Sequence, residues 1–223
     1  MRIDIDEGVA RDYPDLELVL RVVEGIQVTR TSEELEGHKR RLEQAVRAEG
    51  TADTIKEEPR VAAYRRFFWS LGIDPTKTRP AAEALVRRIA RGNPMPTINT
   101  AVDAYNVASV ETRVAFAAFD ADRLGGDLLM RYAREGEPFS GIGMDRPRVL
   151  SGRELVIDDG EALVAIYPYR DADASKLTTD TRASVVLGCG VPGLWGRELT
   201  EATSRAVELL EPKVVIPIHY DTF

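Results

Sequence analysis

The chain has 223 residues, of which 43% are hydrophobic and 30% charged, and a formal net charge of −7 at pH 7. This composition predicts one domain with a sizeable core, and it argues against binding nucleic acid through broad positive charge. Because no apolar run approaches the roughly 18 residues of a membrane span and the acidic start does not resemble a signal peptide, we expect a cytoplasmic protein. The single cysteine, Cys189, excludes a disulfide within the chain.

The chain begins with β-rich segments and then a charged helix. Residues 16–23 and 26–29 are rich in β-branched and aliphatic side chains, which predicts two strands around Gly25. Thr31 and Glu34 have the spacing of a capping box, so a helix is predicted from Thr31 to about Glu49.

Three more helices are predicted before residue 112. Residues 60–71 carry apolar side chains at helical spacing and precede Gly72, a typical helix end. A third helix is expected from about Pro80 and a largely buried fourth over 99–110. Two tryptophans at helical positions are predicted to be core or pocket-wall residues: Trp69 and Trp195.

After Glu111 the pattern changes to short apolar runs separated by turn signals, which is typical of strands. A final helix, at about 197–210, precedes a strand-like tail. Helices followed by strands favour an α+β fold, helix-rich in its first half and sheet-rich in its second. The predicted strands lie at 114–119, 127–133, 148–150, 154–157, 162–167 and 183–189.

Three stretches carry a family resemblance: 71–112 (LGIDPTKTRPAAEALVRRIARGNPMPTINTAVDAYNVASVET), 117–124 (AAFDADRL) and 167–187 (YPYRDADASKLTTDTRASVVL). In order and spacing they resemble the B3/B4 editing domain of the phenylalanyl-tRNA synthetase β subunit. The resemblance covers about residues 60–190. We therefore expect a single B3/B4-like domain over 1–223, with residues 1–50 and 195–223 as flanking parts.

The resemblance implies a layered β/β/α domain and an editing activity, the hydrolysis of tRNA esterified with the wrong amino acid. It also implies a short, free-standing relative of the synthetase domain. Two positions depart from the family pattern. The editing-pocket histidine expected before the AFD motif is Ala117 here, and the acidic residue expected after the threonine-rich segment falls on Leu187.

The first candidate site lies on the fourth predicted helix. Asn99, Asp103 and Asn106 have i, i+4, i+7 spacing, which places them on one helical face. Such polar groups could line a substrate pocket and position a water for ester hydrolysis. Helix capping by Asn99 and ordinary buried hydrogen bonds by the other two explain the pattern slightly better.

The second candidate site is the segment Arg170-Asp171 with the nearby hydroxyl residues Thr178, Thr179 and Thr181, of which Thr179 is the pocket candidate. An arginine binds a carboxylate or phosphate through two hydrogen bonds, and neighbouring hydroxyl groups can complete such a site. A structural Arg–Asp pair beside a strand start is an equally good explanation from the residues alone, and the resemblance favours the pocket.

Basic side chains on the third helix give a weaker RNA-binding prediction: Arg87, Arg88 and Arg91. Charged residues on a helix more often form a solvated face. Arg79 and Glu83, four residues apart on the same helix, are predicted to form an exposed ion pair.

A metal site is not expected, and no cofactor is predicted. The tail containing His219 and Asp221 is similar to the end of metallo-β-lactamase-fold hydrolases, and Cys189 could add a ligand. However, the chain has two histidines and lacks the HxHxDH cluster of that family, so a terminal strand is the better interpretation.

Two functions follow from these observations. The first is a trans-editing hydrolase that deacylates mischarged aminoacyl-tRNA. The alternative is a non-catalytic module on the same fold that binds an amino acid, a nucleotide, RNA or a protein. The expected partner is therefore aminoacyl-tRNA or a small amino-acid-like or nucleotide-like ligand, without a membrane.

Overall fold

A computed structural model describes residues 1–50, 52–212 and 214–217. This part of the chain contains six α-helices: α1 (Glu7–Asp12), α2 (Glu33–Glu49), α3 (Pro59–Ser70), α4 (Ala81–Ala90), α5 (Thr100–Thr112) and α6 (Gly196–Glu208). Its strands are β1 (Ile3–Ile5), β2 (Leu18–Glu24), β3 (Ala115–Asp120), β4 (Leu128–Tyr132), β5 (Glu135–Phe139), β6 (Arg148–Ser151), β7 (Leu155–Asp158), β8 (Leu163–Ile166), β9 (Arg170–Asp171), β10 (Ala183–Cys189) and β11 (Val214–Pro217).

The strands form two main sheets and a separate hairpin. The five-stranded sheet has the order β1-β4-β7-β8-β9, and the four-stranded sheet has the order β11-β2-β10-β3. β5 and β6 pair with each other. Strand β10 is central in the four-stranded sheet, where Leu187 lies opposite Leu20 of β2 and Ala117 of β3.

Alternation along β3 and β10 sends side chains into two different cores. Ala117 and Leu187 belong to the apolar layer between the two sheets. Ala118 and Val186 face the opposite way and pack with Ala104 on α5 and with residues of α6. The order is therefore sheet, sheet, helices, which confirms the predicted α+β fold in β/β/α layers.

The predicted helices are confirmed with small shifts. α2 begins one residue later than a capping box at Thr31 requires, because the Ser32 hydroxyl accepts the hydrogen bond from the Leu35 amide. α4 begins directly after Pro80, and α5 is capped by Asn99. Gly50 ends α2 in the left-handed conformation, with φ of 65°.

Two local predictions were wrong. Residues 26–29 are irregular rather than a strand, although Ile26 and Val28 are buried. Glu83 is not part of an exposed pair with Arg79; it is 1% exposed and accepts two hydrogen bonds from Arg65, at 2.9 and 3.0 Å. Arg79 lies farther from it, at 4.0 Å.

Neither tryptophan is a core residue, although Trp69 does line a surface groove. Trp69 is 56% exposed and Trp195 is 48% exposed. α3 buries Tyr64, Phe67 and Phe68, so Trp69 falls on the solvent side of that helix. Trp195 precedes α6, outside the face that packs on the sheet.

Candidate functional site

A cavity of about 80 Å³ lies where the ends of the two sheets meet. Its walls come from β3, β10 and the turn between β8 and β9, and Ala81 at the start of α4 completes it. The lining side chains are mostly apolar, and the polar groups among them converge from β9. The lining residues are Ala81, Phe116, Ala117, Ala165, Ile166, Tyr167, Pro168, Tyr169, Arg170, Asp171 and Cys189.

Asp171 is the one carboxylate among these lining residues, and it is half-buried. Its Oδ2 accepts a hydrogen bond from the Ala118 amide at 3.4 Å. Burial of the carboxyl raises the pKa of Asp171 to about 7, although the Ala118 amide and the charge of Arg170 oppose the shift. At neutral pH this group is therefore divided between its protonated and ionised forms.

The thiol of Cys189 shares the cavity but is unsuited to nucleophilic attack. Burial raises the pKa of Cys189 well above its usual value, and the charge of Asp171 adds to the shift. The nucleophile in cysteine chemistry is the thiolate, so a thiol held in its protonated form is inert. The neighbouring walls are fixed by hydroxyl groups, since Tyr64 donates to the Cys189 carbonyl and Tyr167 donates to the Gly190 carbonyl.

Tyr105 on α5 is electrostatically linked to this site, and sequence reasoning did not single it out. Burial raises the pKa of Tyr105 above its ordinary value, and the charges of Asp171 and Asp103 raise it further. Its hydroxyl therefore stays protonated and can donate a hydrogen bond. A tyrosine in a helix of small and apolar residues gives no sequence signal of this placement, because it looks like a core residue.

The predicted polar face of α5 has local structural partners at its first two positions. Asn99 caps the helix by accepting from the Val102 amide at 2.9 Å, and it donates to the Leu177 carbonyl at 3.2 Å. Asp103 is 1% exposed and binds the Lys39 ammonium at 2.9 Å and the Ile98 amide at 3.0 Å. These groups form a second polar cluster apart from the residues that line the cavity.

The remaining predicted site residues are more exposed. Asn106 is half-buried on α5. Arg170 is exposed, lines the cavity, and donates to the Ile142 carbonyl at 2.9 Å. Thr179 is exposed. Its neighbour Thr181 donates instead to buried Asp120, at 2.6 Å.

The structure shows what surrounds the two departures from the family pattern. Ala117 lines the cavity, and Leu187 is fully buried in the layer between the sheets. The two residues are direct cross-strand neighbours on β3 and β10. Both positions are therefore apolar. Asp171 is the acidic residue that lines the cavity beside Ala117.

The three arginines of α4 differ in exposure. The side chain of Arg87 is 15% exposed and lies 3.9 Å from Asp53. Arg88 and Arg91 are exposed, and Arg88 donates to the Pro94 carbonyl at 2.6 Å. Only the latter two present charge to solvent, so a contact between Arg87 and RNA requires Arg87 to move.

Within residues 1–50, 52–212 and 214–217, no group of three or more His, Cys, Asp or Glu side chains is arranged to hold a metal ion. His219 and Asp221 lie outside the described residues. The described helices also include none that is both long and apolar enough to cross a bilayer.

Comparisons with known proteins find relatives of the central part of the chain. A family profile described as the B3/4 domain matches residues 63–195. The phenylalanine–tRNA ligase beta subunit of Geobacter metallireducens is 36% identical over 103 residues, covering 46% of this chain and 13% of the relative. That of Gloeobacter violaceus is 35% identical over 109 residues, covering 48% and 14%.

A solved N-terminal fragment of the phenylalanyl-tRNA synthetase beta subunit from Pyrococcus horikoshii has a TM-score of 0.49 and 14% identity, covering 96% of this chain and 50% of that one. The chain spans only 13–14% of the length of the two curated relatives named above. The family profile, in contrast, matches more than half of this chain. The chain therefore belongs to the B3/4 domain family.

Proposed function

We propose that this protein is a trans-editing hydrolase that deacylates mischarged aminoacyl-tRNA, with Asp171 as the general base. The observation that carries the proposal is the carboxyl of Asp171, which faces a small apolar cavity and has a pKa raised to about 7. A general base is most effective when its pKa lies near the working pH. The relatives are phenylalanine–tRNA ligase beta subunits, which supports aminoacyl-tRNA as the substrate class.

In this reaction the ionised Asp171 accepts a proton from a water molecule, and the water oxygen attacks the ester carbonyl carbon. The bond from that carbon to the ribose oxygen then breaks. The departing alkoxide takes the proton back from Asp171, so the products are a free amino acid and uncharged tRNA.

The cavity fits a small part of the substrate. Its volume of about 80 Å³ is well below the roughly 300 Å³ at which pockets for whole small molecules begin. It therefore suits the amino-acid end of the substrate, while the nucleotides remain outside. Arg170, at the cavity wall, and the exposed Thr179 are proposed to contact the ester or the terminal ribose.

The test is a deacylation assay on a panel of aminoacyl-tRNAs that includes tyrosyl-tRNA. Asp171→Asn removes the base with little change in shape, and we expect hydrolysis to fall about 100- to 10,000-fold. The matched control is Asp173→Asn, because Asp173 is exposed two residues away and pairs with Lys176 at the surface. Ester lifetimes that match the protein-free control for every aminoacyl-tRNA would exclude the proposal.

A specific observation favours the alternative, a binding module without catalysis. Ala117 and Leu187 give the site an apolar wall where the resemblance predicts polar residues. Such a module would hold an amino acid or nucleotide and leave its ester intact. A melting screen with these ligands would detect it, because a ligand that binds only the folded state raises the midpoint.

The predicted roles of Asn99, Asp103 and Asn106 in the pocket stay proposals. Asn106→Ala in the same deacylation assay addresses the half-buried member of this set. A loss of activity without a loss of stability would indicate that Asn106 contacts the substrate. An unchanged rate would indicate that Asn106 has no role in the pocket.

A further inference from the structure

Two open grooves adjoin the cavity, and together they are much larger than it. The first has a volume of about 380 Å³ and shares Ile166, Tyr167 and Tyr169 with the cavity. The second, of about 540 Å³, shares Leu71, Gly72 and Arg153 with the first. The three spaces therefore follow one another across the protein, from Asp171 to Trp69.

The second groove contains an aromatic side chain that is not packed in the core. Trp69 is 56% exposed and lines this groove beside Tyr13 and Tyr132. The ring of Tyr13 is held by an edge-on contact with Phe67, with centroids 5.1 Å apart. Exposed aromatic rings beside a groove are the usual platforms on which unpaired bases stack.

Positive charge is concentrated between Trp69 and the cavity. Lys77 and Arg153 are exposed, line the first groove, and have no ion-pair partner within the described residues. The third cation, Arg148, is neutralised by Glu154 at 2.8 Å.

The remaining acid of this groove is already engaged. The carboxylate of Asp74 accepts from the amide and the hydroxyl of Thr76, at 2.8 and 2.7 Å. These hydrogen bonds lower the pKa of Asp74, and the nearby charges of Lys77 and Arg65 lower it further. Although the protein carries a net charge of −7, Arg153 and Lys77 form no ion pair within the described residues, so both can contact an anionic ligand at this place.

We propose that these grooves bind the single-stranded 3′ end of an RNA, with a base stacked on Trp69 and backbone phosphates at Arg153 and Lys77. The strand then passes Tyr169, which lines both the first groove and the cavity, and brings its terminal ribose to Asp171. The inference rests on the proposed function for the identity of the ligand. It is supported by the three adjoining spaces, the exposed ring of Trp69 and the two cations that form no ion pair within the described residues.

The experiment measures binding of an uncharged single-stranded oligonucleotide that ends in CCA, by fluorescence anisotropy. We expect Trp69→Ala to weaken binding about 5- to 100-fold through the lost stacking. Arg153→Ala and Lys77→Ala should each lower the slope of log affinity against log salt by about 0.7, the value for one phosphate contact on a single strand.

The matched control is Trp195→Ala, because Trp195 is similarly exposed, at 48%, but does not line either groove. Trp69→Phe should recover most of the affinity, since a phenyl ring also stacks. Equal losses for Trp69→Ala and Trp195→Ala, or equally strong binding of a blunt duplex, would overturn the inference. The absence of any binding by the unmodified protein would do the same.

The uncharged RNA separates this inference from the proposed function. If RNA binding depends on Trp69 but ester lifetimes are unchanged by the protein, the RNA-binding inference is supported and the hydrolase proposal is rejected. If Trp69→Ala hydrolyses the ester at the normal rate and with an unaltered KM, the hydrolase proposal stands and the RNA-binding inference is rejected.

Discussion

The charges of two carboxylates raise the pKa of Tyr105 from different regions of the molecule: Asp103 is buried and Asp171 is half-buried. Asp103 lies in the polar cluster at the start of α5, where Lys39 and the Ile98 amide satisfy it. Asp171 lies at the cavity between the sheets, where one long hydrogen bond from the Ala118 amide is its contact. The polar cluster uses its charge to hold elements together, whereas the cavity keeps a carboxyl that can exchange a proton at neutral pH.

The difference teaches how to separate stability from function in this domain. When a buried carboxylate is paired with a cation, removing that cation destabilises the fold because the charge is left buried without a partner. A carboxyl that is buried without a cation in contact costs stability when it ionises, and such groups are concentrated at functional sites. Removing a charged partner in the polar cluster should therefore lower the free energy of unfolding, whereas removing the ionisable carboxyl of Asp171 should raise it.

The largest effect is expected from breaking the paired region. Lys39 is 2% exposed and donates to Asp103, Glu36 and Thr97. Lys39→Met leaves the Asp103 charge buried without its cation, and we expect the free energy of unfolding to fall by about 3–5 kcal/mol. Urea denaturation measures this change.

The double variant Lys39→Met/Asp103→Asn is the control. The amide oxygen of the new asparagine can still accept from Ile98, so part of the stability should return. A loss below about 1 kcal/mol in the single variant would show that the pair contributes little and would remove the contrast with Asp171.

The next effect is the pH dependence that Asp171 gives to stability. Its pKa is about 7 in the folded protein and about 3.9 in an unfolded chain. Below pH 4 the Asp171 carboxyl is protonated in both the folded and the unfolded state, so it does not lower the free energy of unfolding. Between pH 4 and 7 the unfolded state releases its proton first, so the free energy of unfolding falls by about 1.4 kcal/mol per pH unit.

Asp171→Asn cannot ionise and should escape this loss. We expect the variant to exceed the unmodified protein in stability by an amount that grows to as much as about 4 kcal/mol between pH 4 and 7 and is then constant. Chemical denaturation at several pH values measures the difference. A difference that does not change with pH would mean that the Asp171 carboxyl is not shifted, and the general-base proposal would lose its support.

The smallest effect concerns Asn99, which belongs to the paired region. Removing its cap by Asn99→Ala should cost about 1 kcal/mol, and Asn99→Ser should restore most of it because serine also caps. Thermal melting measures both variants. If Asn99→Ala instead abolished deacylation at full stability, Asn99 would move from the structural region to the functional one.

Local sequence patterns were sufficient for most of the secondary structure. The apolar run at 183–189 coincides with β10, and the 99–110 prediction differs from α5 by one or two residues at each end. These elements are dominated by local signals: strand-forming side chains, turn glycines and a capping asparagine. Polar segments were harder, and the strands β5 and β9 were not anticipated because EGEPF and RD carry no apolar pattern.

By itself the sequence determined the layered α+β fold, the family and the segment that contains Arg170 and Asp171. It could not decide which carboxylates are paired, because Lys39 meets Asp103 across 64 residues. Nor could it show that Asp171 reaches a cavity beside Ala117 and Cys189, since these residues lie in different sheets and only the packing of the two sheets brings them together. The pKa of a carboxyl depends on burial and on the charges around it, and only the tertiary structure fixes both.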